Sequence, residues 1–343
     1  MATFTYPTDA EIQQIAQDKM PRLIQDRPIF DILPVEDADD DVLRWEQKDN
    51  YQGLQQLRGL NGQPPRVARV GGKGYLMEPG VYGEYQEIPE SEMTRRRRYG
   101  TFGTPIDIST LVMESQDLLL QRRLDRVELI GWTLLNSGTF SVSSATGVVH
   151  TDSYPTQVYS AAVTWATAPT ATPLADFRSV KLLHRGHSVA FNGAARAYAN
   201  QVTVNNMLLN TNNADLYGRR VAGLATANTL KDVNQLLLQD DLPQLGVYDE
   251  GYLSDGADGN AAGTYVPFIP NDKVVVVGKR PAGQTVGAYR MTRNANNPNL
   301  APGAYMRVID TGEKEVPRSI QVHDGHNGGP VIYFPSAIVI MNV

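Results

Sequence analysis

The chain has 343 residues, 41% of them hydrophobic and 20% charged, enough apolar material to bury a real core and to exclude global disorder. A formal charge of -6 argues against a protein that grips nucleic acid, because such affinity comes mostly from neutralising phosphates. The absence of cysteine removes disulfides, thiolate metal sites and Cys nucleophiles.

The N-terminus carries no charged-then-apolar signal pattern, and no apolar run approaches the roughly eighteen residues of a membrane span. A soluble, cytoplasmic product without a membrane is expected. The length suits two domains, or one large domain with extensions. Thirty glycines and 21 prolines forecast many turns.

Residues 1–50 read as an extended polar arm. A short helix is possible over Asp9 to Ala16, prolines 21, 28 and 34 punctuate the stretch after it, and Glu36 to Asp41 reads as a solvated acidic run. Residues 51–103 are rich in glycine and proline, with apolar positions at Val67, Val70, Tyr82 and Tyr85. They read as a long two-stranded excursion, which needs a covering partner because an isolated hairpin cannot bury a core. A neighbouring subunit is the simplest cover.

Residues 109–136 give the clearest helix. Leu120, Leu124, Val127, Ile130 and Leu134 form one apolar stripe, and Asn136-Ser137-Gly138 supplies a stop. The opposite face reads as charged, with Gln121, Arg122, Arg123, Asp125 and Glu128. Strand-like stretches come next at 140–149 and 157–165, then a helix from Pro173 to about Arg185 with proline at its first position. Residues 191–210 mix small and apolar residues and are expected to hold a further helix. Asn228-Thr229 caps an amphipathic helix carrying Leu230, Val233, Leu236 and Leu237 on one side. Strands are expected at 245–253, 264–268, 274–277, 320–322, 331–334 and 337–343.

Several motifs invite chemistry and fall short of it. His184/His187 and His323/His326 are two H-x-x-H pairs, but each encloses a glycine (Gly186, Gly325) and H-E-x-x-H is absent, so surface turns are the reading. Gly71 to Gly74 lacks the phosphate-loop spacing, and Asp255 to Asn260 lacks the ligands of a calcium loop. No nucleophile elbow or carboxylate pair stands out. No catalytic residue, cofactor or metal site is nominated. Arg95, Arg96, Arg97 and Arg98 form the strongest charge run, preceded closely by Glu84, Glu87, Glu90 and Glu92. An interface role is preferred, with these arginines pairing with carboxylates of a neighbour.

In chain order these features resemble the major capsid (head) protein of tailed bacteriophages, most nearly the lambda-type family (capsid protein E) with the Hong Kong 97-type fold. The resemblance is carried by YGEYQEIPESEMTRRRR (82–98), GWTLLNSG (131–138), VTWATAPTATPLADF (163–177), GVYDEGYLSDG (246–256), YVPFIPNDKVVVVG (265–278) and the ending VPRSIQVHDGHNGGPVIYFPSAIVIMNV. It implies an α+β architecture. An N-terminal arm would span 1–50 and an extended β-hairpin loop 51–103. A discontinuous peripheral domain would span 104–190 and 305–343, with its spine helix at 109–136. An axial domain would span 191–304.

The resemblance further implies a structural, non-enzymatic subunit that self-assembles into hexamers and pentamers of an icosahedral shell around double-stranded DNA, which it meets by non-specific proximity only. A separate scaffolding protein, a portal and a decoration protein are the partners implied, with assembly in the host cytoplasm and residence in the virion. Some relatives join subunits through a Lys–Asn isopeptide bond, which would nominate Lys73 as an inter-subunit residue. Two other readings stay open: a bacterial nanocompartment shell protein of the same fold, and a cytoplasmic α+β enzyme with an unrecognised site.

Overall fold

The computed structural model describes residues 7–48, 54–55, 57–58, 60, 62–64, 66, 72–97, 103, 106–143, 149–167, 170–183, 185, 189–209, 229–254, 256, 260–279, 285–312 and 317–343. The chain divides into two compact units, one of Met1–Leu43, Leu76–Leu129 and Ala288–Val331, the other of Arg44–Tyr75, Ile130–Gly287 and Ile332–Val343.

The stretch read as a polar arm carries more helix than the short one expected over Asp9 to Ala16. Helix α1 runs Asp9–Ile24, started by a capping box in which Thr8 and Glu11 each satisfy the other's backbone N–H. Its Ile12 and Ala16 are buried beside Leu111, Val112, Leu119, Leu120, Ile320 and Val322, and that burial outweighs the proline at position 21. A short helix α2 (Ile29–Ile32) and strand β1 (Val35–Asp37) come next. The acidic run from Glu36 stays solvated and makes surface ion pairs: Asp39 meets Arg293 at 2.8 Å and Glu36 approaches Arg290 at 3.8 Å.

The expected excursion is built differently from a self-paired hairpin over 51–103. Strand β2 (Leu43–Lys48) pairs with β3 (Gly72–Met77), whereas β4 (Gly80–Pro89) lies antiparallel along a distant strand near the C-terminus. The pairing follows the aromatic residues. Trp45 stacks on Tyr75 at 5.6 Å, and two tyrosines of β4 find rings on the distant strand. A six-residue helix α3 (Glu90–Arg95) comes after β4.

Helix α4 spans Ile108–Ser137, about 45 Å at 1.5 Å per residue. Asp107 caps its start through the Ser109 N–H. Gly138 ends it at φ +73°, where an added Cβ would sit 2.5 Å from the Thr156 hydroxyl, so both conformation and space call for glycine. The expected charged face is only partly solvated. Arg123 and Glu128 are buried, because each meets an opposite charge there: Arg123 with Asp324, and Glu128 with Arg27 at 2.9 Å.

Beyond α4 lie a hairpin of β5 (Thr139–Ser143) and β6 (Val149–Ser153), strand β7 (Gln157–Ser160) and helix α5 (Pro173–Leu183). The helix expected within 191–210 is α6 (Gln201–Leu208); it is preceded by strand β8 (Arg196–Ala199), which was not expected, with Asn200 as the cap that separates them. Helix α7 (Leu230–Gln239) begins at the expected Thr229 cap and buries Val233 and Leu237. Then come β9 (Gln244–Val247), β10 (Gly251–Leu253), β11 (Tyr265–Pro267), β12 (Lys273–Val277), β13 (Gly287–Met291), β14 (Tyr305–Asp310), β15 (Ser319–Ile332) and β16 (Ile338–Asn342).

The first unit holds a sheet in the order β1-β13-β15-β14, with β4 added to β15. The second holds a sheet in the order β7-β16-β12-β8-β9. Its central strands are the unbroken apolar runs Val274–Val277 and Ile338–Met341, which pair antiparallel and are buried. Such continuity fits strands covered on both faces. Trp132, fully buried, contacts the rings of Tyr198 and Tyr248 in this unit.

Candidate functional site

The richest gathering of polar side chains in the first unit is the seam between β4 and β15. Their antiparallel register places His323 opposite Tyr85, Asp324 opposite Glu84 and His326 opposite Tyr82. Because side chains alternate across a strand, the His323/Tyr85 pair lies on one face and the other two pairs on the opposite face. Tyr82 stacks on His326 and Tyr85 on His323, each at 5.1 Å and 20°. His326 also shares a 3.0 Å hydrogen bond with the buried Tyr289 hydroxyl.

Helix α4 supplies the counter-charges. Arg122 grips Glu84 with two bonds of 2.5 and 2.9 Å, and Arg123 reaches Asp324 at 2.5 Å. Two carboxylates face each other in register here, an arrangement that repels unless each has its own cation. Burial pushes the Asp324 carboxyl up to about 6 against the pull of Arg123, and Glu84 adds to the rise. Burial likewise raises the Tyr82 and Tyr289 hydroxyls. His323 is held below the ordinary histidine range by burial and by the Arg307 guanidinium.

The seam is closed to solvent at Asp324 and His326. Asp324 and His326 are almost completely buried, Asp324 against Arg123 and His326 Nε2 against the Tyr289 hydroxyl. His323 and His326 therefore stand in a strand and not in the surface turn expected for them, because Gly325 packs under Tyr305 and Tyr82 where an added Cβ would meet atoms at 2.6 to 2.8 Å. His184 and His187 lie outside the described residues, as do four of the six positions from Asp255 to Asn260. Gly72 to Gly74 open strand β3. Among the described residues no group of three or more His, Asp and Glu could hold a metal ion, and no helix is long and apolar enough to cross a membrane.

The nominated interface residues fare individually. Lys73 sits in β3. Arg95 closes helix α3 and is exposed. Arg96 is engaged within its own chain, with Glu92 at 2.8 Å and Glu114 at 2.6 Å. Exposed Arg97 donates to the Thr94 carbonyl at 2.8 Å. Arg98 lies outside the described residues. Sequence reading missed a louder surface signal: Leu54, Leu57 and Leu60 are 97 to 99% exposed. Their three-residue spacing was visible, but nothing in the pattern said that all three would face solvent.

No protein-family model matches the sequence, and no curated protein matches it. Solved structures do. The putative capsid protein of a prophage of E. coli CFT073 aligns at TM-score 0.58 and 13% identity, covering 96% of this chain and 98% of that one. A phage-related protein from Bordetella bronchiseptica RB50 aligns at 0.57 and 9%, covering 98% and 97%. The capsid of Myoviridae phage XM1 aligns at 0.50 and 11%, covering 90% and 88%. From end to end, then, the chain has the α+β fold of phage capsid proteins, the Hong Kong 97-type fold that its sequence resembles.

Proposed function

We propose that the chain is a structural shell subunit that works by tiling against copies of itself and performs no chemistry. The observation that carries this reading is the near full-length match to the E. coli CFT073 prophage capsid protein, 96% of one chain on 98% of the other. The exposed leucines at 54, 57 and 60 support it. Fully covering a leucine is worth about 1.5–3 kcal/mol, so three of them on one excursion suit a contact that a neighbour completes.

In this reading the copies form rings of six and five that close into an icosahedral shell around double-stranded DNA, in the virion. The roles follow the domain plan set by the resemblance: arm at 1–50, extended loop at 51–103, peripheral domain at 104–190 and 305–343, axial domain at 191–304. Each contact is modest, and closure makes the whole stable through multivalency. Scaffolding, portal and decoration proteins are the expected partners. The acidic balance of -6 fits a wall beside DNA better than a binder of it. Light scattering on the eluting full-length protein tests the reading. Masses at five- and six-fold multiples of 37.7 kDa, or larger closed particles, support it. A single 37.7 kDa species at every concentration overturns it.

A further inference from the structure

Strand β9 ends the sheet of the second unit, and at the middle of its outer edge one side chain takes the place of a partner strand. The Gln244 and Tyr248 N–H groups turn inward, to the carbonyls of Ala195 and Ala199 next to β8. Leu245, out of step with them, therefore turns its N–H and C=O outward, as alternation along a parallel ladder requires. Both outward groups are taken by Asn234 of α7: its Nδ2 donates to the Leu245 carbonyl at 2.8 Å, and its Oδ1 accepts from the Leu245 N–H at 2.8 Å. An amide that donates and accepts at one residue stands where a neighbouring strand would stand.

Edge strands are templates for pairing with another chain, and proteins guard them with charges or covers. The edges of the first unit carry charges: Glu36 and Asp37 on β1, Glu84 and Glu87 on β4, Arg307 and Asp310 on β14. Strand β9, Gln-Leu-Gly-Val, carries none. Beside it lies an open groove of about 430 Å³ lined by Leu230, Lys231, Gln235 and Leu238 of α7 together with Asn234 and Gln244. An incoming strand would find room there, and the half-exposed Leu238 would give it apolar contact.

We infer that Asn234 is an edge guard: it fills the outward bonding positions of Leu245 in β9 and so prevents a strand of a second copy from adding to this sheet in register. For a chain that self-associates, such a guard removes one wrong way of meeting a neighbour. The inference does not rest on the shell reading, since a monomer, a ring or a shell each serves as the baseline.

The test is sedimentation velocity of the full-length protein across a concentration series, with thermal melting alongside. Asn234→Ala is expected to form additional heterogeneous oligomers at about tenfold lower concentration than the parent, the equivalent of roughly one hydrogen bond's net worth. Adding Val247→Lys, which charges the bare edge, is expected to restore the parental distribution. If Asn234→Ala does not fold, Asn234→Leu, which keeps the branched four-atom side chain and loses both bonds, is judged by the same criteria. A parental distribution in the folded variant, with only the melting temperature lowered, would show that Asn234 merely tethers α7 to β9. Extra association that Val247→Lys leaves in place would show that strand pairing is not its cause.

Discussion

Arg123 of α4 and Asp324 of β15 meet at 2.5 Å with about 5% of either side chain exposed. Their cost and their role both come from that burial. Neither charge can reach water, so each depends on the other, while burial itself disfavours both charged forms.

Breaking the pair from one side is expected to be severe. Asp324→Ala leaves a guanidinium stranded in the interior and should cost about 3–5 kcal/mol, measured as a lower urea midpoint with an unchanged slope. Replacing both partners, as Arg123→Met with Asp324→Leu, should recover most of that loss. If the double variant were no better than the single one, the pair would be acting through something other than charge burial.

Acid should weaken the seam through His323. Its neutral form is favoured in the folded state by burial and by Arg307, so its folded value lies below the 6.5 of the unfolded chain. Its contribution is fully present above pH 6.5 and is lost as pH falls through the lowered folded value. Asp324, shifted upward, works in the opposite sense between about 6 and 3.8 and is common to parent and variant. The stability gap between the parent and His323→Gln is therefore expected to move in favour of the variant as pH falls from about 7.5 to 5.5. A gap that stays constant would mean that His323 has an unshifted titration.

The arginine run should divide by position. Arg95→Ala with Arg97→Ala removes exposed groups and should leave the melting temperature nearly unchanged while impairing particle formation. Arg96→Ala breaks two half-exposed ion pairs within the chain and should cost no more than about 1 kcal/mol. Differential scanning calorimetry separates the cases: unfolding of the Arg95/Arg97 variant would mark those arginines as structural.

Replacing Leu54, Leu57 and Leu60 with Gln should leave folding intact, because all three are almost fully exposed, and should abolish assembly. Electron microscopy of the triple variant beside the parent reads the outcome directly. Normal particles would remove these leucines from the interface.

Local signals were legible in the sequence where they were complete in themselves. The stripe from Leu120 to Leu134, the proline opening α5 and the Thr229 cap each specify a helix without outside help, and all three stand in the structure. The run Val274 to Val277 reads as a buried strand for the same reason. The readings that failed depended on partners far along the chain. Arg123 and Glu128 look like solvated charges until Asp324 and Arg27 arrive from 201 and 101 residues away. The pairing of β4 with β15, and with it the placing of His323 and His326, rests on a register that no local pattern encodes. In the polar arm only Asp9 to Ala16 read as a short helix, because Pro21 hides its continuation to Ile24.

The central claim is that the chain builds a shell from copies of itself, and cryo-electron microscopy of the full-length protein purified after expression tests it most directly. Closed particles or capsomer-sized rings whose reconstructed subunit carries this fold, with the segment around Leu54, Leu57 and Leu60 buried against a neighbour, are the predicted result. A uniform population of single 37.7 kDa molecules at high protein concentration, with or without scaffolding, would contradict it.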